Sequence, residues 1–211
     1  MRQIMDVSGA VLQSEREYDI ASATSVVVGA LVKLTDGLVV KAAAGETAAV
    51  LGITAEGHTG TEDALNPRNN GTKIIVRDAP GAIFACPAPA LKALTGGNAT
   101  TVKFTGATGI GASVFKGGFI KDKTGAIRRI TDSSETTGTI SLTVETGAVV
   151  AQDEIFVLYP PIGFNKANLN SDATGIVLTA TADMSIKVIG RDEVTDEIWL
   201  MASKHALGNG Q

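Results

Sequence analysis

The chain of 211 residues is 44% hydrophobic but only 4% aromatic, with 22 acidic against 18 basic residues and a formal net charge of -4. That length suits one substantial domain or two small ones and excludes a miniprotein held together only by staples. The bases are scattered, which argues against a nucleic-acid backbone as partner, and a core so poor in rings must be filled by Val, Ile, Leu and Ala.

Each of those side chains buries little area at about 25 cal/mol per Å², so association with a partner would add burial that the chain itself lacks. The mean hydropathy of +0.20 comes from Ala and Val spread along the chain, because no run reaches the roughly 18 to 20 apolar residues of a spanning helix. Nothing near the start reads as a secretion signal, since Asp6, Glu15 and Glu17 interrupt any apolar region.

In chain order, residues 1–24 read as an extended N-terminal arm, irregular and charged in "SEREYD". From Val26 to Ile53, β-branched runs are broken by turn residues, and Asp36-Gly37 between two such runs is a strong hairpin signal. A polar loop then leads to "KIIVRD" and "APGAIF", both read as strands. "APALKALTGG" is read as the one clear helical turn of this half, with Leu91 and Leu94 on one face and Gly96 as its C-cap.

The second half supplies eight further candidate strands, from "TTVKFTG" to "DEIWLMAS". In "TISLTVE", Ile140, Leu142 and Val144 alternate with Ser141 and Thr143, the period of a sheet with one buried face. Pro160-Pro161 marks a strand end. Many short strands separated by turns predict an all-β fold, a β-sandwich or β-barrel-like domain with at most one or two short helices. The expected division is an arm at 1–24, a β-rich core from 25–57 plus 117–211, and a loop-rich insertion or subdomain at 58–116.

Catalytic chemistry finds little footing. "GATGIGAS", Gly106 to Ser113, has the glycine spacing of a phosphate loop but Ala112 where its lysine should be. His58 and His205, the two histidines, match no metal or protease spacing and read as solvated or locally bonded. The pairs Asp153-Glu154, Asp192-Glu193 and Asp196-Glu197 read as turns, because a glycosidase cleft normally adds stacking aromatics. Cys86 reads as an inert buried thiol, and the sequons at Asn70 and Asn98 as turn chemistry. Trp199 is read first as a core anchor under the last strand, with an interface anchor as the alternative.

The stretch "VVVGALVKLTDGLVVKAAAGETAAVLGITAEG", Val26 to Gly57, resembles the β-rich domain of tailed-phage capsid decoration, or head-stabilising, proteins. Gly29, Val32, Asp36, Gly37, Val50, Leu51, Gly52 and Ile53 carry the likeness, and Gly29, Asp36, Gly37 and Gly52 form its structural turn motif. "KGGFIKDKTGAIRRITDSS", "DEIFVLYPP" and "EIWLMASKHALG" are less specifically similar to phage virion proteins. The resemblance implies a non-enzymatic virion structural protein on the outer capsid surface, present in the host cytoplasm during assembly. Its partner would be the major capsid protein, bound by a homo-oligomer with a trimer favoured; no cofactor, catalytic residue, metal, direct nucleic-acid contact or membrane is expected. The alternatives are a neck, tail or head-fibre adhesin that binds a host glycan, for which an aromatic-lined exposed groove is expected, and a carbohydrate-active β-protein.

Overall fold

The computed structural model describes residues 1–6, 14–59, 72–95, 97–145, 154–179 and 182–207. Among the described residues there are seventeen strands and no helix, so the fold is all-β, a β-sandwich-like stack of antiparallel sheets. A five-stranded sheet runs in the order β2 (Glu15–Asp19), β6 (Lys73–Arg77), β5 (Val50–Thr54), β3 (Leu31–Thr35), β4 (Leu38–Lys41). A four-stranded sheet runs β1 (Arg2–Asp6), β7 (Ala82–Pro87), β17 (Glu197–Ala202), β16 (Ile186–Asp192).

The third sheet has six strands in the order β8 (Ala90–Lys92), β13 (Ile155–Tyr159), β10 (Phe119–Lys121), β11 (Ile127–Thr136), β12 (Thr139–Val144), β9 (Thr101–Thr105). Its longest strand, β11, slips register between Ile130 and Asp132, the kind of bulge that bends a strand and increases its twist. The sheet curls until its two edges meet, where the Leu94 N–H donates to the Lys103 carbonyl at 2.8 Å. Most of the few rings are gathered here: Phe104, Phe115, Phe156 and Tyr159 are fully buried. Phe115 stacks at 5.2 Å on Phe164 and meets Phe104 edge-on at 6.2 Å. By contrast, the five-stranded sheet is packed with Leu31, Val32, Val39, Leu51, Ile53, Ile74 and Val76, the aliphatic filling that the composition demands.

Alternation predicts β12 correctly, because Ile140, Leu142 and Val144 are buried while Thr143 faces out. Tyr159 ends β13 directly before Pro160-Pro161. "APALKALTGG" departs from expectation: β8 occupies its centre, with Leu91 opposite Phe156. Pairing to β13 satisfies this backbone across the sheet, and the flanking Pro87 and Pro89 favour extended chain. The expected C-cap, Gly96, lies outside the described residues.

The two described strands of the segment 1–24 are paired at sheet edges, β1 on β7 and β2 on β6. The region 58–116 gives β6 to the five-stranded sheet, β7 to the four-stranded sheet, and β8 and β9 to the six-stranded one. A short hairpin, β14 (Asn168–Leu169) with β15 (Ile176–Val177), lies against the start of β3, where the Leu31 N–H donates to the Ala173 carbonyl at 2.8 Å.

Two glycines of the turn motif are required for different reasons. Asp36 (φ 53°) and Gly37 (φ +81°) form the two-residue turn between Thr35 and Leu38, the left-handed pair typical of a tight hairpin. A Cβ on Gly37 would meet nothing within 4 Å, so its cost is conformational alone. At Gly52 no positive φ is involved; a Cβ there would lie 1.9 Å from the Arg77 carbonyl oxygen. Gly52→Ala is therefore expected to cost about 3 kcal/mol through forced separation of β5 and β6, and Gly37→Ala only about 1 kcal/mol. Urea unfolding midpoints of the two variants check this, and equal losses would contradict it.

Candidate functional site

The resembling segment forms one rigid unit. β3 is hydrogen-bonded to β4 on one side and to β5 on the other, and β5 is buried at every position. Gly29 (φ +77°) stands where the Met1 carbonyl would be 2.1 Å from a Cβ, and the Met1 ammonium donates to the carbonyls of Gly29 and Thr174 at 2.9 and 3.0 Å. Just before β3, Val27 and Val28 are 47% and 62% exposed. Their backbone is nevertheless fixed, because Thr54 Oγ1 donates to the Val27 carbonyl at 2.6 Å and Val26 exchanges two 2.8 Å hydrogen bonds with His58. Of the four motif residues Gly52 lies within the five-stranded sheet, Asp36 and Gly37 form the turn between its strands β3 and β4, and Gly29 sits in the turn that precedes β3, whereas Trp199 lies on β17 in the four-stranded sheet.

Trp199 is half-buried on the outer side of its strand, since its neighbours Ile198 and Leu200 are fully buried in the core. It stands opposite Gly190 of β16, and its ring occupies the space a side chain there would need: Cε3 is 2.7 Å from an ideal Cβ.

The phosphate-loop likeness fails on charge. In the segment 106–117 the Gly109 N–H donates to Glu135 Oε2 at 3.0 Å, and Glu135 Oε1 accepts the Gly138 N–H at 2.9 Å. Ser113 Oγ donates to Asp132 at 2.6 Å. Carboxylates of the chain itself occupy the donors a phosphate would use, and these hydrogen bonds hold both Glu135 and Asp132 below the usual carboxylate range.

The paired acids are likewise structural. Asp192 Oδ1 accepts the amides of Val194 and Thr195 at 2.9 and 3.3 Å, and Glu193 pairs with Arg191 at 2.6 Å. Asp196 accepts from Lys121 at 2.7 Å and Tyr159 at 2.5 Å. Glu197 pairs with Arg2 at 2.5 Å. Burial first, and then Asp196, pushes the Tyr159 hydroxyl above its ordinary range. Asp153 lies outside the described residues. Among the described residues no group of three or more His, Cys, Asp or Glu could hold a metal ion, and no helix is long and apolar enough to cross a membrane.

Cys86 is buried, and that burial pushes its thiol up to about 12. Asn98 Oδ1 accepts the Thr100 amide at 2.9 Å, the turn chemistry expected of it; Asn70 lies outside the described residues. Both histidines are buried and locally bonded: His58 Nδ1 donates to the Thr24 carbonyl at 2.9 Å, and His205 Nδ1 accepts the Leu207 amide at 3.1 Å.

Two buried carboxylates were beyond the reach of sequence reasoning. Asp78, 0% exposed, accepts hydrogen bonds from Ser14 at 2.8 Å and from the Tyr18 hydroxyl, with Arg16 at 3.5 Å. Burial and Asp78 together push Tyr18 up to about 12. Glu46 pairs with Lys33 at 2.9 Å and accepts the Ala43 and Ala48 amides at 3.0 and 2.9 Å. Burial alone would raise its pKa, but Lys33 and the two amides outweigh it and hold the carboxyl below the usual range. The partners of Asp78 sit about 60 residues away in sequence, so no local motif signals them. Compared with known protein families, curated proteins and solved structures, the chain matches none.

Burial lowers the pKa of His205 below its ordinary value, and the Leu51 backbone and the Asp78 charge only partly offset this. The unfolded chain then binds the proton more readily, so this stability is complete above the unfolded value of about 6.5 and is lost as pH falls through the depressed native value. The thermal midpoint is expected to drop from pH 7 to pH 5, ahead of the acid range in which Glu46 titrates. His205→Gln should flatten that step. A parallel pH profile in the variant would contradict the assignment.

Proposed function

We propose that the chain is a non-enzymatic virion structural protein that binds the outer surface of a tailed-phage capsid and stabilises the head. The observation that carries this reading is the pair Val27 and Val28, exposed at the entrance to β3 within the segment that resembles decoration proteins. Large apolar side chains held on a fixed backbone lose little further conformational freedom on binding, so their burial contributes more of its transfer energy to affinity.

The partner is the major capsid protein, and the acting form is a homo-oligomer, with a trimer favoured. Closed symmetry presents the same patch several times, so weak contacts from each protomer combine into tight attachment. The turn motif of Gly29, Asp36, Gly37 and Gly52 acts through geometry: it holds the sheet that displays the patch and touches no reactant.

Electron microscopy of virions with and without the protein tests the reading directly. Density on the outer shell and greater resistance of the decorated head to heat are expected. Val28→Asp should weaken capsid binding by about tenfold or more, equivalent to at least 1.4 kcal/mol, while leaving the unfolding midpoint unchanged. A head equally stable without the protein, and bound equally by the variant, would overturn it.

A further inference from the structure

The turn joining β16 to β17 is fixed from two directions. From within, Asp192 caps the Val194 and Thr195 amides, and Glu193 holds Arg191 at 2.6 Å. From the six-stranded sheet, Lys121 Nζ donates to the Glu193 carbonyl at 3.0 Å and to Asp196 at 2.7 Å, and the Tyr159 hydroxyl also donates to Asp196. The Arg191 guanidinium lies 3.7 Å from the centroid of the Phe119 ring. Beside this braced turn is an open depression of about 610 Å³, lined by Gly190, Arg191, Asp192, Glu193, Val194 and Trp199.

We propose that this depression is a carbohydrate-binding site, with Trp199 as the surface on which the C–H face of a pyranose ring packs and with Asp192, Glu193 and Arg191 as partners for its hydroxyls. An indole supplies apolar area together with an N–H donor, matching a sugar that is apolar on its ring faces and polar at its rim. Gly190 makes the room: any side chain there would displace the ring.

The character of the walls selects the ligand. A protein hot spot seats its aromatic anchor among apolar, desolvated neighbours, but three of the six lining residues are charged and the one aliphatic residue, Val194, is 90% exposed. An anion would face two carboxylates, and the charge of Arg191 is already matched by Glu193. A neutral polyhydroxylated ligand fits both constraints. Because the polar groups are already ordered, binding costs little additional side-chain entropy.

Trp199 is the single tryptophan, so its emission and its one indole N–H resonance report on this site alone. The full chain would be titrated with maltotriose, lactose and N,N′-diacetylchitobiose. At least one sugar should shift both signals saturably, with half-saturation at or below about 10 mM. Asp192→Asn, whose amide oxygen can still accept the Val194 and Thr195 amides, should raise that value at least about fivefold while the chain stays folded by circular dichroism, and calorimetry on Trp199→Ala should show no binding heat. Unsaturable or absent responses to all three sugars would overturn the proposal. So would loss of capsid attachment in Trp199→Ala without any sugar response, which would assign this surface to a protein contact.

Discussion

The fold depends on how closely β5 is allowed to lie against β6. With the Arg77 carbonyl 1.9 Å from where a Gly52 side chain would begin, the two strands approach at a distance that only glycine permits. All five residues of β5 are buried, so this strand is the centre from which the five-stranded sheet is built outward. Its first residue also ties that sheet to the end of the chain: the Val50 N–H donates to the Lys204 carbonyl at 3.1 Å, and the Ala206 N–H donates back to Val50 at 2.8 Å. β17 ends only two residues before this contact. β5 thus both centres its own sheet and holds the segment that follows β17 of the four-stranded sheet.

Buried carboxylates do the work that large rings would do elsewhere. Asp78 gathers Ser14, Arg16 and Tyr18 and so holds edge strand β2 to the sheet through side chains as well as through its ladder. Glu46 fastens the β4–β5 connection to Lys33, and its carbonyl accepts both the Ser185 amide and hydroxyl, at 2.8 and 3.1 Å. A buried carboxylate with every donor in place specifies one arrangement, because any other leaves it unpaired. Aliphatic packing is less directional, so a ring-poor interior gains register from these hubs.

Much of the strand pattern was legible because it is local. The Asp36-Gly37 turn announces itself by residue type, and β12 by its alternation. What stayed hidden is what depends on distant partners. β8 reads as a helical turn because Ala, Leu and Lys favour helix, and only its pairing with β13 decides otherwise. Phosphate-loop spacing at Gly106 to Ser113 gives no hint that Glu135 and Asp132 fill it, since those acids lie beyond the loop on β11. Trp199 could be read as core or surface from sequence, and the register that sets it opposite Gly190 is a property of the hairpin. Its turn acids were legible as turns, but the hold that Lys121 and Tyr159 exert on them was not.

The two candidate surfaces differ in chemistry as well as in place. Val27 and Val28 present apolar area beside a sheet whose strands are aliphatic, a surface suited to burial against another protein. Trp199 sits among ionised side chains at a braced turn, a surface suited to a ligand that can accept and donate hydrogen bonds while covering a ring. They lie on different sheets, joined through Val50 and the 204–206 segment. On the proposed reading, one chain would occupy a large partner through the first surface and keep the second open. The two surfaces share a support, because Val50 of β5 is hydrogen-bonded to the 204–206 segment that follows β17.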